Sequence, residues 1–473
     1  MRVLLVEDDL DVVNLLVADL NQCPHGVALS VATSRDAALQ HLEHGSFDLI
    51  ICDLKIPSSS GGLDIEIEHG EAVQAKSRVA CAGTPVTFFT AFETEALLRK
   101  WMRANDQYDI FGSGALIPMI DSFKKSHIVD LLQRVSEYAE EIGKLDDIEI
   151  SDNLNLSEYE KRIIRIFSRR KGGRVVQVSE LGGGLSSARV LRTIVQDASL
   201  GVRAITVAKI AKIEKVKDER KRYQDHVVAL VKARGYPPIA DSVCAGAAGL
   251  GGIFYKLEEE YDQTLFDLLQ SNESVAIKAI GELRDIVAAW FEGASSREVL
   301  VRDIRRNLLS DERLDPIRDR LGDLPLEEFE KRQVVANYCS QHRDLQGLNV
   351  LVTSQGRPLL IDFGEVGMAP ASIDPITLEL GVIFHPKGKD IRGTWPTPEQ
   401  AKDWADRDRF CAESPFPNYF RACRDWAFGQ GGSNRAVYAT AYSYALRQMK
   451  YEDTNHSVAL AIARSAISAF SNT

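Results

Sequence analysis

The chain has 473 residues, too many for a single core of usual size, and its 57 Lys and Arg against 68 Asp and Glu give a formal net charge of -11. That balance argues against a whole-chain electrostatic grip on nucleic acid. The 45% hydrophobic and 26% charged content is that of folded globular domains. Seven cysteines stand without a CxxC pair, so neither a disulfide framework nor a structural zinc site is expected. The opening MRVLLVEDDLD lacks an apolar signal region and no run reaches bilayer length. A cytoplasmic chain with no membrane partner is the expectation.

Residues 1–145 read as alternating strands and helices. RVLLV, ALSVA, FDLIICD, PVTFFT and ALIPMI are predicted strands, and DLDVVNLLVADL and SRDAALQHLEHG predicted helices. The continuous apolar strands suit a parallel, doubly wound sheet covered on both faces. Function in such a sheet gathers beyond the carboxyl ends of the strands. Those ends carry Asp8 and Asp9, Asp53 and Thr90. Converging carboxylates need a cation, and Mg²⁺ is the natural one, with Asp53 as nucleophile toward a phosphoryl group. A lysine after the fifth strand completes the charge balance. Lys125 is favoured, with Lys124 beside it.

These residues resemble the receiver domain of two-component response regulators. The resemblance implies that Asp8 and Asp9 bind Mg²⁺ with Asp53, that Asp53 is the phosphoacceptor, and that Thr90 and Lys125 are the switch pair. It also implies a histidine kinase or other phosphodonor as partner, and is compatible with a homodimer. Two departures stand out: SFKKSH has no proline after its lysines, and the polar, glycine-rich stretch from Ser58 to Ser77 replaces a compact loop and helix.

Residues 146–173 read as a helical linker. Ser157 is placed as the cap of a basic amphipathic helix that ends at Gly172 and Gly173, its Lys and Arg side chains forming a solvated face. No helix-turn-helix pair accompanies it, so no nucleic-acid partner is expected.

Residues 174–270 contain strands at RVVQVSEL, ARVLRTIVQD and AITVAKIAKIE. Between the first two lies GGGLSS, where Gly182, Gly183, Gly184, Ser186 and Ser187 would let backbone amides approach phosphate oxygens. It is no Walker loop, because neither GKS nor GKT follows. Lys209 in the apolar VAKIA is costly without a partner, and Glu219 on the next predicted helix would supply one. Lys212, on the opposite strand face, is the alternative cation. Residues 257–261 would be a hinge.

Residues 271–473 are expected to be mainly helical, including PLEEFEKRQVVANYCS, which leads into QHRDLQGLNV. LNVLVTS and LLIDFG are predicted strands, so Asp344 and Asn349 share a loop before the first and Asp362 ends the second. Phosphoryl transfer from ATP needs neutralised phosphates and an acceptor oriented in line. Asp362 and Asn349 are assigned to Mg²⁺, Asp344 to the acceptor proton, and His342 to the core.

HRDLQGLN followed by DFG resembles the protein-kinase-like superfamily, as a bilobal α+β domain. The sequence after DFG is nearer the aminoglycoside and choline phosphotransferase branch, with Asp374 as a structural residue. The resemblance implies ATP and Mg²⁺ as cofactors, Lys209, Glu219, Asp344 and Asn349 as catalytic residues, and a protein or small-molecule hydroxyl as acceptor. The leading expectation is a receiver-controlled kinase or phosphotransferase. The alternative is a scaffold that binds nucleotide or a partner without transfer.

Overall fold

The computed structural model describes residues 1–91, 106–151, 153–181, 188–228 and 235–473. The chain forms two compact units, Met1–Lys217 with Pro238–Leu257, and Asp218–Pro237 with Glu258–Thr473.

The first unit opens with β1 (Arg2–Val6), α1 (Leu10–Leu20), β2 (Ala28–Ala32), α2 (Arg35–His44), β3 (Leu49–Cys52), α3 (Ile67–Ala80) and β4 (Val86–Thr90). A short hairpin, β5 (Gln107–Tyr108) and β6 (Ile117–Pro118), precedes β7 (Ile120–Lys124) and α4 (Ile128–Asp146). The five-stranded sheet has the order β2-β1-β3-β4-β7, and every pair in it is parallel. All four residues of β3 and all five of β4 are buried, as strands covered on both faces must be. The predicted doubly wound sheet is therefore present, with its fifth strand one step later than expected. ALIPMI contributes β6 and the start of β7, because the inserted hairpin consumes its first half. The stretch from Ser58 is also shorter in its irregularity than expected, since α3 begins at Ile67.

The same unit continues with β8 (Glu149–Ser151), α5 (Glu158–Arg170), β9 (Val175–Glu180), β10 (Arg189–Gln196), β11 (Val202–Lys212), α6 (Ile213–Arg222, whose last residues enter the second unit), β12 (Ile239–Val243) and β13 (Leu250–Lys256). These strands make a six-stranded sheet ordered β12-β13-β11-β10-β9-β8, antiparallel except for the edge pair β8–β9. Helix α5 begins at a capping box of Ser157 and Glu160. Its face of Ile163, Ile164, Ile166 and Phe167 is buried, and Phe167 stacks on Phe254 of β13 at 3.9 Å. Gly252 makes that approach feasible, because a Cβ there would lie 2.5 Å from Ile163 Cγ2.

One hydrophobic cluster runs from Val3 and Leu5 of β1 through Ile163 and Phe167 to Val176 and Phe254. The 146–173 segment is thus core rather than spacer. Its basic side chains are ion-paired rather than solvated: Arg165 meets Asp146 at 2.6 Å, Arg169 meets Glu141 at 2.8 Å, and Arg170 meets Asp109 and Asp241 at 3.2 and 3.1 Å.

The second unit holds a three-stranded sheet of β14 (Gln263–Thr264), β17 (Val350–Val352) and β18 (Pro358–Leu360), and another of β15 (Ser295–Leu300), β16 (Gln333–Gln341) and β19 (Gly367–Pro370). Its helices include α7 (Leu265–Ser271), α8 (Glu273–Ile286), α9 (Ile373–Phe384), α10 (Pro417–Gln430), α11 (Asn434–Gln448) and α12 (His456–Ser471). QVVANYCSQ is strand β16, not the expected helix, because it pairs with β15 on one side and β19 on the other. Among the described residues no helix is long and apolar enough to cross a membrane.

Candidate functional sites

The first site lies at the carboxyl edge of the parallel sheet. Glu7, Asp8 and Asp53 offer carboxylate oxygens that lie within 4.8 Å of one another. Lys125, just past β7, reaches Asp53 at 2.6 Å and Glu7 at 2.8 Å. Burial pushes the Glu7 carboxyl up to about 7, against the hydrogen bond from Lys125. Burial also raises Asp8. For Lys125 burial acts downward, and the hydrogen bonds to Asp53 and Glu7 outweigh it, so its pKa lies above the ordinary lysine value. Three crowded acids against one ammonium leave an anionic hollow that fits a hard divalent cation.

Asp9 is not part of this cluster. Its carboxylate caps α1, accepting from the amides of Asp11 and Val12 at 3.0 and 3.4 Å. Glu7 takes the expected place because it directly follows β1, and the run EDD holds one more acid than the cluster uses. Thr90 ends β4 and is buried.

Helix α3 packs its Gly70 against the loop after β3. A Cβ on Gly70 would stand 2.6 Å from Leu54 O and 2.7 Å from Asp53 O, both backbone atoms. Gly70→Ala is therefore expected to lower stability by about 1–3 kcal/mol. Thermal melting checks this, and a wild-type melting temperature would contradict the packing argument.

The second site is built on the loop between β16 and β17. Asn349 Nδ2 donates to Asp344 O at 2.7 Å and to Asp344 Oδ2 at 3.2 Å. The amide nitrogen is thereby committed, leaving the Asn349 carboxamide oxygen as a ligand atom. Ile361 N–H donates to Asn349 O at 3.0 Å, which sets Asp362 beside Asn349. Asp362 has φ +66°, and Arg343 has φ +67°, conformations that only a well-braced loop maintains.

Asp374, the first-turn acid of α9, supplies much of that bracing. Its carboxylate accepts from the His342 and Arg343 amides, each at 2.8 Å. Burial raises its pKa and those amides oppose the rise. His342 is fully buried, with Nε2 3.0 Å from Ile361 O. That is the core placement expected for it.

One partner of Asp344 was not visible in the sequence. Arg447, at the end of α11, donates from Nη2 to Asp344 Oδ1 at 2.8 Å. Burial acts to lower the Arg447 pKa, and the Asp344 carboxylate more than compensates.

The remaining expected residues divide. Lys209 is half-buried in β11, opposite Ile253 of β13, whereas Lys212 is exposed at the strand end. Glu219 is 3% exposed on α6. Gly182, Gly183, Gly184, Ser186 and Ser187 lie outside the described residues.

Residues 3–110 match the response regulator receiver domain family, so the N-terminal part of the chain is a receiver domain. A receiver takes its phosphoryl group from a two-component phosphodonor. Among solved structures, the signal receiver domain of a putative Luxo repressor protein from Vibrio parahaemolyticus is 25% identical, with 31% of this chain and 94% of that one covered and a TM-score of 0.23. The Francisella response regulator 1452 receiver domain is 19% identical, with coverage of 30% and 98% and a TM-score of 0.22. A thermostable mutant of aminoglycoside phosphotransferase APH(4)-Ia in its apo form is 16% identical, with 63% of this chain and 95% of that one covered and a TM-score of 0.35. No curated protein sequence is significantly similar to this chain.

Proposed function

We propose that the chain is a response regulator whose output is phosphoryl transfer from Mg-ATP to a hydroxyl acceptor, under control of Asp53 phosphorylation. The observation that carries this reading is the loop geometry: Asp344 and Asn349 are hydrogen-bonded to each other, and a backbone bond from Ile361 holds Asp362 alongside. A carboxylate, a carboxamide oxygen and a second carboxylate on one rigid loop pair is the donor set that phosphoryl transfer requires.

Magnesium bound by Asp362 and the Asn349 oxygen would neutralise phosphate charge. Asp344 orients the acceptor hydroxyl and takes its proton. In the receiver, Glu7, Asp8 and Asp53 hold the cation for phosphorylation of Asp53, and Thr90 and Lys125 respond to the new phosphoryl group.

The test is transfer of labelled γ-phosphate by purified protein, with cell extract as the acceptor pool and acetyl phosphate present or absent. Product made by wild type and lost in Asp362→Ala supports the reading, and its mass distinguishes protein from metabolite. Mg-ATP binding without any transfer would instead identify a nucleotide-binding scaffold. Dependence on acetyl phosphate that disappears in Asp53→Asn establishes control by the receiver.

Arg447 holds the Asp344 carboxylate in one orientation. Arg447→Ala is expected to reduce kcat by up to about 10²-fold with little change in KM for Mg-ATP. Arg447→Lys should recover part of the loss. A parallel rise in KM would show that the pair supports ATP binding rather than acceptor orientation.

A further inference from the structure

We propose that the receiver and the six-stranded sheet are one cooperative folding unit, so that what binds at the receiver's acidic edge also stabilises the sheet strand that carries Lys209. Domains of receiver size can fold alone. Joint folding therefore has to be built into the contacts between the two sheets, all of which lie within the first unit.

Those contacts start in the receiver strands. Successive residues of β1 point to opposite faces of its sheet. Val3 and Leu5 belong to one buried cluster with Leu49 and Phe89, and that cluster continues to Leu191, Val195 and Phe254 of the six-stranded sheet. Leu4 and Val6 belong to the other, with Leu42 of α2 and Phe88 of β4, and it reaches Ala248 in the loop between β12 and β13. Both faces of the receiver sheet thus share a core with the later strands.

Helix α5 carries the junction. Ile163, Ile164, Ile166 and Phe167 are fully buried on it. A Cβ on Gly112 of the inserted hairpin would stand 2.6 Å from Ile166 O, and one on Gly246 would stand 2.4 Å from Ile110 O. The hairpin therefore meets the helix on one side and the β12–β13 loop on the other at backbone distance. Gly83, between α3 and β4, donates from N–H to Ala248 O at 2.7 Å and accepts at its own oxygen from Gly246 N–H at 2.8 Å. Arg162 of α5 reaches Asp48 at 3.6 Å, and Asp48 also accepts from the Arg2 amide at 2.7 Å.

Domains that move independently meet through smaller, more polar surfaces. Parting this junction would expose the apolar face of α5 and break both loop hydrogen bonds. The apolar exposure alone costs free energy comparable to the whole stability of an ordinary domain. The two sheets therefore open together rather than in turn. A ligand that binds only the folded receiver then lowers the population of that common opening, by the ratio of its concentration to its dissociation constant. The same factor applies to the amides of β10 and β11 as to those of β1 and β3.

The experiment is amide hydrogen exchange in the full chain, under conditions where exchange follows the opening equilibrium. Ala38→Gly and Leu42→Ala both lie in α2, within the receiver. Each is expected to speed the slowest amides of β10 and β11 by the same factor as those of β1 and β3. That factor is about 2–5-fold for Ala38→Gly and about 30-fold or more for Leu42→Ala. The milder variant keeps the test open if the larger deletion does not fold. Faster exchange confined to β1 and β3 would overturn the proposal. Mg²⁺ with beryllium fluoride, at about 100-fold its dissociation constant, is expected to slow both pairs of strands about 100-fold. Slowing in β1 and β3 alone would also overturn it. Only this second arm rests on the reading of Asp53 given above. Slowing in neither pair would count against that reading, and the α2 variants would decide the folding unit without it.

Discussion

Asp344→Asn is expected to lower phosphoryl transfer by about 10²–10⁴-fold, the range associated with loss of a positioned proton acceptor. The replacement is nearly isosteric. It preserves the main-chain oxygen that receives Asn349 Nδ2 at 2.7 Å, so the loop keeps its shape, and under the proposed function Mg-ATP binding is expected to survive. What changes is the carboxylate: Oδ1 is held by Arg447 at 2.8 Å and Oδ2 by Asn349 at 3.2 Å. An amide in that place cannot take the acceptor proton. Asp362→Ala should behave differently, losing nucleotide affinity together with transfer, because the residue is assigned to the metal. Single-turnover transfer and Mg-ATP titration separate the two variants. Wild-type transfer by Asp344→Asn would remove the residue from the chemistry.

Glu379→Ala is expected to destabilise the second unit by about 3–5 kcal/mol. Glu379 is fully buried in α9, and Arg424 of α10 is 1% exposed. Glu379 Oε1 receives Arg424 Nη2 at 2.9 Å and Trp404 Nε1 at 2.8 Å. The guanidinium also lies 4.3 Å from the Trp404 ring centre. Removing the carboxylate leaves an unpaired cation where water cannot reach it. The melting temperature of the unit should fall on the order of 10 °C. A paired change, Glu379→Leu with Arg424→Met, should recover much of the loss, because two apolar side chains bury no charge. Calorimetry of the single and paired variants decides this, and a single variant that melts with wild type would contradict the account.

Where the sequence was misread, the cause was a competition among local signals. EDD at 7–9 offers three acids for fewer places. The helix that begins at Leu10 claims Asp9 as its cap, which moves the cluster to Glu7, Asp8 and Asp53. QVVANYCSQ carries an apolar run that serves a helix or a strand equally well. Its partners, β15 and β19, lie far along the chain, so no local window could choose between them. The basic residues of α5 read as a solvated face because their acidic partners, among them Asp109, Glu141 and Asp241, are remote in sequence.

The parallel strands, the loop order of Asp344, Asn349 and Asp362, and the strand-end positions of Asp53 and Thr90 could be read from the sequence alone. Each depends on short-range patterns: continuous apolar runs, caps, and fixed spacings between a strand and the residue that follows it. Only the tertiary structure decided the rest. It brought Arg447 to Asp344 across 103 positions, and Asp374 to the amides of His342 and Arg343 across 32 and 31. It also joined the receiver sheet and the six-stranded sheet through α5 in one core. The physical reason is the same throughout. Burial and pairing energies depend on which surfaces meet, and chain neighbours do not specify that meeting.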